Sequence, residues 1–388
     1  MTTKLPAPDP IAQQHSDRLQ QIIKEAIAKQ GGKITFAEYM QHCLYSPGLG
    51  YYSAGSYKLG EQGDFTTAPE ISSLFSRTLA NHIQDVFKQL NQTNILEFGA
   101  GSGAMAVDIL KELESQSILP DNYYIIEASA DLRYRQEKYL TTSLPHLIER
   151  VVWLEQLPEN FVGVILANEV CDAMPVHSLH FTNNEVYERY IQIESGQLQW
   201  SEGPLSSNEL STRTEHISSI IGENEAITEV NLAANAWVSS LADSLKQGAI
   251  FIIDYGYPEA EYYHPQRSQG SLMCYFQHVG HSNPLMLQGL QDITAHVDFT
   301  SLAQTAIDNA LDVDGFQSQA DFLLAGGITK FSQNSEHQDD LAMYKQATEI
   351  KRLTLPSQMG ETFKVLTLSC ALDSPLARCQ LGDRRYSL

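Results

Sequence analysis

A chain of 388 residues, 43% of them hydrophobic, can bury one large α/β domain with an insertion, or two domains. Its formal net charge of −22 argues against a nucleic-acid backbone as substrate, because each phosphate contact depends on Lys or Arg, whereas a basic protein segment is compatible with it. Five cysteines, Cys43, Cys171, Cys274, Cys370 and Cys379, are odd in number and lack C-x-x-C spacing, so neither a disulfide framework nor a zinc site is implied and a reducing compartment is expected.

No apolar run is long enough to span a bilayer, and the N-terminus has no signal-peptide core. Lys4 and Arg18 against Asp9 and Asp17 match an Arg-rich mitochondrial presequence poorly, so a cytoplasmic, bacterial protein is expected. After a Pro-rich start, residues 11 to 30 read as an amphipathic helix with Ile11, Leu19, Ile22, Ile23 and Ile27 inward, stopping at Gly31-Gly32. Glycines, prolines and aromatics then crowd Ser46 to Tyr52 and Gly63 to Glu70, which marks ordered loops with tight turns. Pro69 and Glu70 suit the first turn of a helix running to about Leu90, with Thr67 or Ala68 near its cap.

From Asn94 the pattern alternates between strand and helix as in a doubly wound sheet. Strands are predicted at 94–98, 123–127, 150–153, 162–167 and 249–254, with helices near 104–115, 129–141 and 231–247. The first strand runs into Gly99-Ala100-Gly101-Ser102-Gly103. A glycine turn between strand and helix lets the backbone approach a nucleotide-like ligand, and Ala104 also allows the looser dinucleotide fingerprint. Glu97, two residues before Gly99, shifts the balance: a carboxylate there repels a pyrophosphate and favours the cationic sulfonium and ammonium of S-adenosylmethionine. Glu127, at the end of the next strand, is placed to accept ribose hydroxyls of an adenosyl group, a role an acid also plays in NAD sites.

The fourth strand ends in Asn168-Glu169, with Asp172 three residues on and Pro175 turning the chain. Strand ends of an open parallel sheet look into its ligand cleft, so Asn168 is placed beside the cofactor and the Glu169/Asp172 pair is suited to gripping a guanidinium. The same acids have a plainer use, capping the following helix or binding the cofactor. Asp254, at a strand end, and Asp298 are further candidates, with an N-cap role favoured for Asp298. His278 and His281, with His264 and His296 nearby, read as locally satisfied rather than metal ligands.

Between about 178 and 228 the alternation breaks into antiparallel strands at Ser178–Thr182, Glu185–Glu194 and Gln197–Trp200, joined at Asn183-Asn184 and Ser195-Gly196. Helices are predicted at 300–310, 319–326 and 338–352, and a last strand at 363–368. The expected organisation is an N-terminal helical extension and lid segment (1–90), a first core segment (91–177), a β insertion (178–230) and a second core segment with helical additions (231–388).

Taken in order, Ser46 to Tyr52, Gly63 to Glu70, Leu96 to Gly103, Ala167 to Val176, Ile253 to Gly256 and Asp292 to Phe299 resemble the MidA family of S-adenosylmethionine-dependent methyltransferases. That family includes the mitochondrial arginine methyltransferase that assists assembly of respiratory complex I. The likeness runs from about residue 31 to 370, and Gly63 to Glu70 is more specific than the glycine turn. It implies a class I, Rossmann-like seven-stranded methyltransferase fold and transfer to a protein arginine, in the mitochondrial member a symmetric dimethylation on a complex I subunit. Carried over, Glu97, Gly99, Gly101 and Gly103 form the cofactor turn, Glu127 is the ribose acid, and Asp64 to Glu70, including Thr67, form a lid near the cofactor. Val170 and Cys171 stand where a bulkier, aromatic-containing pair is commoner in the family.

The leading expectation is therefore a methyltransferase acting on a protein arginine, with Glu169 and Asp172 as the catalytic acids, no metal, a protein partner and a possible homodimer. A non-catalytic assembly factor using the same fold as a scaffold is the alternative. An NAD-dependent oxidoreductase stands third, disfavoured by Glu97.

Overall fold

The computed structural model describes residues 5–54, 67–183, 185–333 and 340–388. Asp64 and the first part of the expected lid lie outside them. The chain divides into two compact units: a sheet unit of Thr66–Val170, Trp237–Gly256 and Phe299–Leu388, and a second unit of Met1–Phe65, Cys171–Ala236 and Tyr257–Asp298.

In the sheet unit the strands are β1 (Asn94–Phe98), β2 (Asn122–Ile126), β3 (Val151–Leu154), β4 (Phe161–Asn168), β5 (Leu245–Tyr257), β6 (Asp312–Ser318) and β7 (Phe363–Cys370). They lie in the order β3-β2-β1-β4-β5-β7-β6. The first five are parallel, and β7 runs antiparallel to both β5 and β6. This is the seven-stranded class I methyltransferase arrangement. Beyond β1 the order reverses, which places a switch point between β1 and β4, and ligands bind outside the carboxyl ends of strands at such points.

The central parallel strands carry nearly continuous apolar runs, Val164–Ala167 in β4 and Ala249–Ile253 in β5, because both faces of a parallel sheet are covered. Ile95, Val164, Leu166, Phe251 and Ile253 pack in one core with Phe75, Leu79 and Ile83 of helix Ser73–Phe87 and with Ile109 and Leu110 of helix Ala104–Ser115. The single helix expected from Pro69 to Leu90 is instead two, Ala68–Ile71 and Ser73–Phe87. Ser72 is the cause: it is extended, its hydroxyl accepts the Leu74 N–H at 3.2 Å, and the same hydroxyl donates to Glu349 at 2.7 Å. A serine that caps its own successor ends one helix and starts another.

The second unit begins with helix Pro10–Lys29, which buries Leu19, Ile23 and Ile27. Ile11 and Ile22, expected inward, are 81% and 39% exposed, because the buried stripe follows the four-residue spacing of 19, 23 and 27 and they fall beside it. Strand Lys33–Thr35 then pairs with Tyr190–Gln192, so the N-terminal segment and the inserted strands share one five-stranded sheet. The inserted strands are His177–Thr182, Glu185–Glu194 and Gln197–Gly203, and left-handed Ser195 and Gly196 close the second hairpin. Helix Asn208–Ile221 and strand Ala226–Val230 also belong here, as does a three-stranded sheet of Met273–Phe276, Val279–His281 and Asp292–Thr294.

Candidate functional site

The turn after β1 can be made only by residues tolerant of positive φ: Gly99, Gly101 and Gly103 have φ of 60°, 55° and 86°. At Gly99 a Cβ would meet nothing closer than Val170 Cγ2 at 3.6 Å, so backbone conformation and not crowding requires glycine there. Ser102 bonds Glu70 through its hydroxyl, and that oxygen also accepts the Ala104 N–H at 3.2 Å. The described part of the expected lid thus reaches the glycine turn through Glu70. Thr67 makes no side-chain cap bond to the short helix that follows it.

Glu97 is 1% exposed on β1 and accepts the Tyr123 hydroxyl at 2.6 Å. Burial lifts its carboxyl from an ordinary 4.5 to about 7; the Tyr123 bond opposes this and the charge of nearby Glu127 adds to it. Glu127, at the end of β2, is raised by burial too, against hydrogen bonds that favour its ionised form. Its Oε1 accepts the Ser129 N–H and its Oε2 the Gln136 side-chain amide, both at 2.9 Å. Gln136, fully buried on helix Ala130–Ser143, also donates to the Gly101 carbonyl at 3.0 Å and accepts from the Trp153 indole at 3.0 Å. Sequence reading missed Gln136 and Trp153, since an amide on a polar helix and a tryptophan on an edge strand carry no local signal.

At the end of β4, Asn168 is 8% exposed and donates to Glu169 Oε1 at 3.2 Å. Its Oδ1 is buried with no protein partner among the described residues. The Trp237 indole N–H is likewise buried and unmatched, on a ring set edge-on to Phe98 at the end of β1. Positive-φ glycines, two elevated carboxyls, one lone acceptor and one lone donor at the ends of β1, β2 and β4 fit an adenosyl group carrying a cationic centre. Glu169 is left-handed, φ 53°, and its N–H donates to Ile253 O at 2.8 Å, which fixes where its side chain departs. Asp254, expected at a strand end, lies inside β5, which continues to Tyr257; it is fully buried, and one of its oxygens accepts the Tyr255 N–H at 2.9 Å.

Asp172 belongs to the second unit and is 6% exposed. Three successive carbonyls hold its segment: Cys171 O accepts Asn231 at 3.0 Å, Asp172 O the Ala295 N–H at 3.0 Å, and Ala173 O the Tyr45 hydroxyl at 2.9 Å. Three residues before Ala295, Asp292 accepts the Tyr52 hydroxyl at 2.9 Å and lies directly across the strand pair from Tyr275. Tyr52 stacks on Tyr45. Burial first, then the charges of Asp292 and Asp172, raise the pKa values of Tyr52 and Tyr275, so the two aspartates share one electrostatic neighbourhood. Asp298, expected as a helix cap, accepts Tyr263 at 2.9 Å and pairs with Arg213 at 3.3 Å. Among the described residues no group of three or more His, Cys, Asp or Glu is placed to hold a metal ion, and no helix is long and apolar enough to cross a membrane.

The model of a family described as "Putative S-adenosyl-L-methionine-dependent methyltransferase" matches residues 78–317. The chain belongs to that methyltransferase family. A Burkholderia thailandensis structure solved with bound S-adenosyl-homocysteine is 39% identical, with a TM-score of 0.95 over 99% of this chain and 100% of that one. A second Burkholderia thailandensis structure, described as a native crystal structure, is 38% identical with a TM-score of 0.92 over 99% of this chain and 100% of that one. Among curated proteins, the "Protein arginine methyltransferase NDUFAF7 homolog, mitochondrial" of Drosophila melanogaster is 28% identical, covering 87% of this chain and 82% of its own length. The Danio rerio "Protein arginine methyltransferase NDUFAF7, mitochondrial" is also 28% identical, over 87% and 83%. The protein is thus an S-adenosylmethionine-dependent methyltransferase with the class I fold.

Proposed function

We propose that this methyltransferase modifies an arginine side chain of a cytoplasmic protein substrate. The observation that carries the reading is the setting of Asp172: a buried carboxylate on a segment pinned at three consecutive carbonyls, sharing its field with Asp292 and with the Tyr52 and Tyr275 rings. Carboxylates match the planar fork of a guanidinium and aromatic faces stack on it, whereas an ammonium uses neither feature fully. The curated relatives named as protein arginine methyltransferases support the same acceptor.

Bound S-adenosylmethionine supplies an electrophilic methyl on a sulfonium. The glycine turn with Glu97, Glu127 and Asn168 is assigned to hold it, and the Ser102–Glu70 bond ties the segment after Thr67 to that turn. An arginine nitrogen is a poor nucleophile while its lone pair is spread over a cation of pKa above ~12. Asp172 is assigned to localise that charge on the far nitrogens and to orient the reacting one, and Glu169, at the end of β4, is assigned as a further catalytic acid. Orientation is the larger effect, since aligned reactants gain about 7–11 kcal/mol in favourable cases.

The test is mass spectrometry of proteins from cells with and without the gene, and from cells carrying Asp172→Asn. A dimethyl-arginine present with the wild-type gene and lost without the gene is expected, with at least about a hundred-fold lower occupancy in the variant. A methylated small molecule lost in its place would overturn the reading.

A further inference from the structure

Gln136 lies outside every motif of the sequence and is fully buried, yet its amide uses both ends. Nε2 donates to Gly101 O at 3.0 Å and to Glu127 Oε2 at 2.9 Å, while Oε1 accepts the Trp153 indole N–H at 3.0 Å. The orientation of this amide is fixed by its neighbours' chemistry. A carbonyl and an ionised carboxylate only accept and an indole only donates, so a flipped amide would set oxygen against two acceptors and an N–H against a donor.

We infer that Gln136 is a positioning residue for the methyl donor: oriented by Trp153, it locks the glycine turn at Gly101 to the plane of the Glu127 carboxylate. The inference rests on the reading of Glu127 as the acid that receives the ribose hydroxyls. Glu127 Oε1 is held by the Ser129 N–H and Oε2 by the Gln136 amide, and the Ala128 N–H also bonds the carboxylate, so its plane toward a diol is fixed. A carboxylate held at both oxygens by fixed donors cannot rotate to meet one hydroxyl at the expense of the other. The same side chain holds the Gly101 peptide, so the turn after β1 and the acid after β2 keep a constant separation. Selectivity for an intact ribose diol therefore depends on a residue that touches neither hydroxyl.

The test is calorimetry on the full-length protein with S-adenosyl-homocysteine and with an analogue lacking one ribose hydroxyl. Wild type should prefer the intact ribose. Gln136→Met, of similar length and without hydrogen bonds, should weaken S-adenosyl-homocysteine about ten- to a hundred-fold and collapse the preference toward unity. Trp153→Phe should shift both quantities in the same direction by less, and it serves if Gln136→Met does not fold. Equal weakening of both ligands, or none, would overturn the positioning role, because general loosening of the site penalises both alike. Glu127→Gln separates the two claims. If it leaves the preference intact, the ribose reading fails; if it abolishes the preference while Gln136→Met retains it, only the Gln136 inference fails.

Discussion

Glu97 was legible in the sequence as an acid, but its charge was not. Complete burial brings its carboxyl to about 7, so at neutral pH without a cationic partner it is about half protonated. A cation held beside it favours the ionised form, and protons compete with that cation. Affinity for S-adenosyl-homocysteine, which keeps the ammonium, should fall about ten-fold per pH unit below 7, and Glu97→Gln should flatten the profile at a weak value. A wild-type affinity constant from pH 5 to 8, read by calorimetry, would contradict this. Stability carries the opposite sign. Because the folded pKa is raised, the group's contribution is fully present below 4.5 and is lost as pH rises through about 7. The ligand-free Glu97→Gln protein should therefore melt higher than wild type at pH 8, by no more than roughly 3 kcal/mol, and not at pH 4. The hydrogen bonds that oppose burial at these carboxyls from other elements, Tyr123 to Glu97 and Gln136 to Glu127, were invisible in the sequence because they arrive from neighbouring elements.

At the scale of elements, the glycine turn, the strand before it and the helix after it follow from local pattern alone. The close approach of the central strands does not. Gly163 on β4 pairs in register with Asn94 on β1 and with Gly248 on β5. A Cβ on Gly163 would fall 2.2 Å from Asn94 O, and one on Gly248 would fall 1.8 Å from Gly163 O. Gly163→Ala should cost more than about 3 kcal/mol of stability in thermal or denaturant unfolding, since backbone on both sides of it must move; near-wild-type melting would contradict the packing. Helix Asn208–Ile221 was missed because its Ser and Thr content reads as loop, although Leu210, Thr214, Ile217 and Ile221 keep helical spacing on its buried side. The Ser207 hydroxyl caps it, accepting the Leu210 N–H at 3.1 Å, so Ser207→Ala should lose about 1 kcal/mol by denaturant melting.

For the whole molecule, the seven-stranded order follows from the alternation after Asn94 once β6 is added, a strand whose Asp312, Asp314 and Gly315 hid it. What no local pattern could reveal is that Lys33–Thr35 joins the sheet of the inserted strands by pairing with Tyr190–Gln192, because register between segments so far apart is a tertiary property. A charge of −22 acts at this scale too. It should draw in a basic acceptor segment, so KM for a cationic arginine peptide should rise with ionic strength from about 0.02 to 0.3 M while kcat holds, as screening shortens the field. A salt-independent KM would argue for an acceptor chosen by shape alone.

The proposed arginine chemistry is tested most directly by incubating the purified protein with methyl-labelled S-adenosylmethionine and lysate from cells lacking the gene, then hydrolysing the labelled product to amino acids. Label recovered as methylated arginine, and absent with Asp172→Asn, is the predicted result. Label in methyl-lysine or in a small molecule, or label undiminished by Asp172→Asn, would contradict it.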